Sequence, residues 1–250
     1  MKFNYKKIFF PVIMSLLLIL GFTASPITAN ADTLINDQNK VQLYFDDIAN
    51  VYHGATSNKI YLKVAKDIPN KNVFVEYKTA STEEGKWQIA SANYYKNLDA
   101  NYSIYAANAS GFGDVIFRIK VISGSTTYVD DNNGQNYNNS IILGSANICA
   151  LRNHGLSYDK TIQISAAVKN LAYNKNVKVR YTVNNWASYK EVPLRFVINN
   201  GNFELWSTDI DATGATIENF EYCLSYTVNG QTYWDNNFND NYNLNHYCEY

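Results

Sequence analysis

Aromatic rings and side-chain amides are the residues here with the most chemistry to offer. The 250-residue chain carries 21 tyrosines and four tryptophans but only four prolines, and asparagines crowd many of its turns. Trp186 follows Asn184-Asn185 and Trp234 precedes Asp235-Asn236-Asn237, so both rings flank polar turns, the setting of an exposed side chain. Exposed rings stack on the apolar faces of sugars, and amides donate to and accept from hydroxyls without the desolvation cost of a charge. Trp206, in the alternating run Phe203-Glu204-Leu205-Trp206, reads instead as core. A β-rich exported protein of a low-GC bacterium would show the same composition, so composition alone leaves both open.

Catalytic signals are missing. His53, His154 and His246 are isolated, with no spacing that would hold a metal. No Gly-x-Ser-x-Gly elbow or phosphate-cradling loop occurs. The string Asp130-Asp131-Asn132-Asn133-Gly134 lacks calcium-loop spacing and reads as a turn that pins a last strand. The sequence thus calls for no catalytic residue, no metal and no cofactor. Of three cysteines, Cys223 alternates with apolar neighbours as a strand residue does. Cys149 and Cys248 are posed as a disulfide, because first and last strands of a sandwich often lie together.

The elements that must position these groups come in two sets. Asn70-Lys71-Asn72-Val73-Phe74-Val75-Glu76-Tyr77 is matched by Asn174-Lys175-Asn176-Val177-Lys178-Val179-Arg180-Tyr181, and Tyr128-Val129-Asp130-Asp131-Asn132 by Tyr233-Trp234-Asp235-Asn236-Asn237. Trp87 and Trp186 fall between the paired strings, so three landmarks recur in order. Alternating or β-branched runs at 41–45, 59–64, 73–77, 115–121, 162–168, 177–183 and 203–206 read as strands, and Asn229-Gly230 as a tight hairpin turn. The expectation is an all-β protein of two tandem immunoglobulin-like antiparallel β-sandwiches after a signal peptide: leader 1–31, first sandwich 32–144, second 145–250. The leader rests on Lys2, Lys6 and Lys7, an apolar run at 12–20 and Ala29-Asn30-Ala31. The short apolar linker at 141–143 suits sandwiches that pack on one another.

Without those 31 residues the formal charge moves from −1 to −4, because three lysines and no acids leave with them. Nucleic acid and anionic membranes, which demand basic patches, are set aside as partners. Secretion to the extracellular space, from a bacterium, is expected.

The second copy, through 168–182, Asn185-Trp186, 226–237 and Asn241-Tyr242, resembles carbohydrate-binding module family 21, the starch- and glycogen-binding β-sandwiches. The first copy resembles it less closely. The resemblance implies a non-catalytic protein that binds starch, glycogen or maltooligosaccharides, alone or beside a separate amylase. It implies one glucan site with Trp186 and Trp234, where Cys223 falls at a position the family fills with an aromatic. A second implied site takes Asn170, Tyr173, Lys175, Asn236 and Asn241. Copy one keeps Trp87, Tyr128, Asp131 and Asn136, but has Val129 in place of Trp234 and Val64-Ala65-Lys66-Asp67-Ile68-Pro69 in place of the Asn-x-x-Tyr segment. An adhesive or host-interaction protein reusing the fold without glucan binding is the alternative.

Overall fold

In the computed structural model, residues 33–50, 54–84, 86–151, 160–216 and 218–244 are described. The expected leader, the three histidines and Cys248 lie outside the described residues. Among the described ones, no helix is long and apolar enough to cross a membrane.

The chain is built almost wholly of strands in four sheets. One sheet runs β1 (Thr33–Ile35), β9 (Thr126–Asp130), β8 (Ile116–Ser123), β4 (Asn72–Lys78), β5 (Gln88–Ser91), and faces β2 (Val41–Asn50), β3 (Ala55–Ala65), β7 (Tyr102–Phe112), β6 (Asn93–Asn97). A second pair sets β10 (Ile148–Leu151), β11 (Thr161–Val168), β15 (Glu204–Asp211), β14 (Arg195–Asn199) against β13 (Lys190–Pro193), β12 (Lys175–Thr182), β16 (Glu221–Val228), β17 (Gln231–Asp235), with β18 (Tyr242–Asn243) beside β16. Element for element, the two strand orders coincide. The departures are β18, whose place in the first pair is taken by an isolated Phe117–Tyr137 bridge, and β1, which adds to β9 in parallel; the antiparallel expectation holds for every other ladder among the described residues. Asn229 and Gly230 take φ of 51° and 77°, the left-handed pair that a two-residue hairpin turn requires and that these residue types tolerate.

Period-two alternation sends one face of each strand inward. Ile60, Leu62 and Val64 of β3 meet Val73, Val75, Phe117 and Ile119 in the first core, while Ile162, Ile164, Val168, Val177, Val179 and Tyr226 fill the second. The other faces of β2, β3, β7, β10 and β11 are buried too: Phe45, Tyr61, Ile104, Cys149 and Ala167 form a third cluster with Ile142, Leu143 and Ala146 of the linker. The linker is stitched to β2 by Gly144 N–H to Tyr44 O (3.1 Å) and Ser145 N–H to Leu43 O (2.8 Å). A Cβ on Gly144 would stand 2.0 Å from Leu43 O, so only glycine lets the backbones approach this closely. The linker is therefore a seam, and the two layer pairs pack as the apolar 141–143 run suggested.

A buried carboxylate locks each pair of sheets. Asp130, at the end of β9, accepts from Leu43 N–H of the facing sheet (2.7 Å) and from the Tyr137 hydroxyl (2.9 Å). Asp235, at the end of β17, accepts from Ala150 N–H (2.6 Å) and the Tyr242 hydroxyl (2.8 Å). The asparagines between Asp and Tyr serve the backbone: Asn132, Asn133 and Asn136 in one loop, Asn237, Asn239 and Asn241 in the other, all have positive φ, which asparagine adopts more readily than most residues. That is the pinning turn expected of the Asp130 string. Cys149 and Cys223 are free and buried, so the disulfide posed for Cys149 is absent; its thiol faces the seam cluster.

Candidate functional site

The loop between β11 and β12 opens a groove of about 580 Å³ at the end of the second sandwich, lined by Asn170, Tyr173, Lys175, Phe196, Asn199, Glu204 and Trp206. Tyr173, at the loop tip, is 96% exposed. Phe196, on edge strand β14, is 53% exposed and meets Trp206 edge-on with centroids 5.9 Å apart. Trp206 packs against the second core and also walls the groove. The core reading was half right: the ring starts inside the sandwich and ends at its mouth.

The charged groups at the floor of this groove neutralise each other. Lys175 Nζ lies 2.7 Å from Glu204 Oε1, with side chains only 4% and 8% exposed, and donates to Asn170 Oδ1 at 2.7 Å. Glu204 Oε2 accepts from the Trp206 indole N–H at 3.0 Å. Both carboxylate oxygens are engaged, and among the described residues no group of three or more His, Cys, Asp or Glu could hold a metal. What remains for a ligand is three rings and the amides of Asn170 and Asn199, a surface suited to a neutral polyhydroxylated chain.

Residues 144–245 match the family model of the carbohydrate/starch-binding module, family 21. The matched stretch takes in β10 to β18 and therefore the whole groove. Two solved structures are similar over part of the chain. The carbohydrate-binding module of the muscle glycogen-targeting subunit of protein phosphatase-1 is 21% identical, covering 39% of this chain and 74% of its own, with a TM-score of 0.34. The starch-binding domain of Rhizopus oryzae glucoamylase, solved with β-cyclodextrin and maltoheptaose, is 29% identical, covering 40% of this chain and 92% of its own, with a TM-score of 0.33. A search of curated proteins finds no match.

Within the stretch that matches the family 21 model the anticipated residues regroup. Asn170, Tyr173 and Lys175 share the groove, but Asn236 and Asn241 are elsewhere. Lys175 stands opposite Val228 and Tyr242 opposite Tyr222, six residues apart on β16 or about 20 Å. Asn241 donates instead to Glu221 Oε2 at 2.8 Å, and the same oxygen accepts the Trp186 indole N–H at 2.6 Å. Trp186 is thus half-buried beside Asn241, joining members of the two anticipated sites. Trp234, opposite Ser225, lies four residues of β16 away from Glu221, about 13 Å. It is 46% exposed, with the Arg180 guanidinium 5.0 Å from its ring and that same guanidinium 4.6 Å from the ring of Tyr189. Cys223, paired with Arg180 across the ladder, is buried, and burial pushes its thiol up to about 11.

The first sandwich presents its anticipated residues differently. Trp87 has Lys78 Nζ at 4.5 Å and the Arg118 guanidinium at 4.3 Å from its ring, the positions a sugar would need. Tyr128 packs against the first core. Asp131 Oδ1 accepts from Gly134 N–H at 2.9 Å and Asn136 closes the same turn through its own N–H to Asp131 O at 2.7 Å, so both hold the loop. Phe196, Asn199 and Glu204 were missed in the sequence. The signal for Phe196 and Asn199 was the run Arg195-Phe196-Val197-Ile198-Asn199, whose alternation in sequence puts Phe196 and Ile198 on one face and Arg195 and Asn199 on the other; Glu204 lay in the run already read as core.

Proposed function

We propose that this is an exported, non-catalytic protein that binds α-glucans of the starch and glycogen type through the Tyr173–Phe196–Trp206 groove. The observation that carries the reading is that three rings converge over a self-neutralised Lys175–Glu204 floor within the residues that match family 21. A neutral ligand loses no charge there, and each stacked ring contributes on the order of 1 kcal/mol beyond burial, which gives micromolar to millimolar affinity. The first sandwich is read as a diverged copy of the same module. The coincident strand orders, the repeated Asp–Tyr lock and the recurrent strings support that reading.

The test is retention on insoluble starch, with cellulose and chitin as controls and maltoheptaose as competitor. Starch-selective, competed retention that is weakened in Tyr173→Ala is the expected result. Retention on no polymer would overturn the assignment and favour an adhesive role for the fold.

A further inference from the structure

Lys169, the residue after β11, is half-buried, yet its ammonium meets no acceptor and no acid among the described residues. Burial alone acts on it, holding its pKa below the ordinary lysine value. An unpaired charge taken out of water is unfavourable unless something compensates it. The scaffold does not ask for one at this position. Ala65 holds the same place in the first sandwich: its N–H is bonded to Lys40 O at 2.8 Å as the Lys169 N–H is bonded to Asn147 O at 3.1 Å, and it is buried without a charge.

The Lys169 side chain lines a cleft of about 380 Å³ at the seam. The first sandwich supplies Gln38, Gln42 and Asn132, the linker Ile141 and Leu143, and the second sandwich Lys169. None of them lines the groove. We infer that this cleft is a separate binding site for a small hydroxylated carboxylate of the hexuronate class, with Lys169 as the counter-ion of the carboxylate.

The lining points to that class feature by feature. One ammonium balances one negative charge, which favours a carboxylate over a phosphate monoester carrying nearly two. Asp130, the acid bonded to these walls, has its oxygens engaged by Leu43 N–H, the Tyr137 hydroxyl and the Gln38 amide and does not pair with Lys169. Hydroxyls would find both kinds of partner. The Gln42 amide has no hydrogen bond among the described residues, while Asn132 and Gln38 donate through Nδ2 and Nε2, which leaves their amide oxygens to accept. Ile141 and Leu143 add an apolar strip for the C–H face of a ring. The volume is at the low end of the roughly 300–1,000 Å³ of small-molecule pockets, so it suits one sugar ring and its carboxylate.

The base of the lysine is fixed. Besides its N–H bond to Asn147, its carbonyl accepts from the Tyr226 hydroxyl at 2.7 Å, and the facing wall is tied to β2 through Gly144 and Ser145. A backbone already held in this way needs little ordering on binding. Asn170, the next residue, lines the groove, so one loop serves a neutral site and a charged one.

Titration calorimetry of the folded protein with D-glucuronate tests the site, with D-glucose as the uncharged control and acetate as the bare carboxylate. Glucuronate should bind about tenfold more tightly than either control, and less tightly as salt is raised. Lys169→Met should weaken it about tenfold and Gln42→Ala about threefold, the losses of a charge-assisted and a neutral hydrogen bond. Neither substitution should lower the melting temperature, since neither side chain gives up a bond within the protein, and maltoheptaose binding should be unaltered in both. The site is overturned if glucuronate binds no better than glucose, if acetate matches it, or if Lys169→Met leaves its affinity unchanged. These outcomes do not depend on whether the groove binds α-glucan.

Discussion

Both sandwiches carry the same edge-on aromatic pair at the same place. Tyr94 faces Tyr105 across β6 and β7, with Tyr105 opposite Leu62 of β3; Phe196 faces Trp206 across β14 and β15, with Trp206 opposite Ala166 of β11. The ring centroids are 6.0 Å and 5.9 Å apart and the planes 87° and 79° from parallel. In the second sandwich the pair lines the groove, whereas the cleft of about 400 Å³ at the corresponding end of the first is lined by Lys40, Lys66, Asp67, Asn101 and Tyr102 and does not include Tyr94 or Tyr105. Ser103 stands where Glu204 does, opposite Val64 and Val168 respectively, so Lys71 has no carboxylate there and donates to Lys66 O at 3.4 Å. Pro69 stands where the string alignment puts Tyr173. The ladder fixes the rings in both halves, and what differs is the loop and the floor. The comparison teaches that this scaffold provides an aromatic platform by default, while a binding groove is an addition to it.

The largest effect should come from breaking that floor. Glu204→Ala leaves the Lys175 ammonium buried without its partner and the Trp206 indole N–H without its acceptor, and should destabilise the second sandwich by about 3–5 kcal/mol. Lys71→Ala, at the first sandwich's equivalent of Lys175, where no carboxylate is paired, should stay within about 0.5 kcal/mol. Urea unfolding of the two variants checks the contrast, and equal costs would break it.

Next is the pH dependence carried by one of the two locks. Burial raises the Asp235 carboxyl from its ordinary 3.8 to about 6, so between these values the folded state holds more protons than the unfolded state. Stability from this group is present at low pH and falls as pH rises through about 4 to 6, by on the order of 3 kcal/mol in all. Asp235→Asn should flatten that part of the profile in urea unfolding between about pH 4.5 and pH 7.

Smaller still is the loss from the rim. Tyr173→Ala should weaken maltoheptaose binding about fivefold to tenfold with no change in melting temperature, since the ring touches little else. The smallest effect belongs to the first sandwich: Trp87→Ala should leave starch retention unchanged, because Lys78 and Arg118 already occupy its surroundings. A drop in retention there would mean that the two halves bind alike.

Much of the fold was legible. Strands with alternating apolar residues, such as β4, β8, β12 and β16, could be read from period alone, as could the Asn229-Gly230 turn. β7 could not. Its sequence Tyr-Ser-Ile-Tyr-Ala-Ala-Asn-Ala-Ser-Gly-Phe is rich in residues of low strand preference, and it is extended because β3 pairs with it along eleven positions. The groove was half legible: Asn170, Tyr173 and Lys175 are close in sequence and came together, whereas Phe196 and Glu204 arrive from β14 and β15, and their placement depends on a register shift between Phe196 and Ile198. Asn236 and Asn241 were misgrouped because an amide that serves a left-handed turn looks, in sequence, the same as one that serves a sugar.

The amino-acid sequence by itself determined that this chain is built of strands, that its landmarks recur in order, and that its polar chemistry is neutral. Those properties follow from side-chain type and local spacing, which no partner strand can alter. The tertiary structure alone decided which rings and amides share a surface. It buried both faces of β3 and β11 to make a seam, paired Lys175 with Glu204 from 29 residues away, and separated Trp186 from Trp234. Such juxtapositions depend on ladder register and sheet stacking, and each is a sum of contacts between residues far apart in the chain.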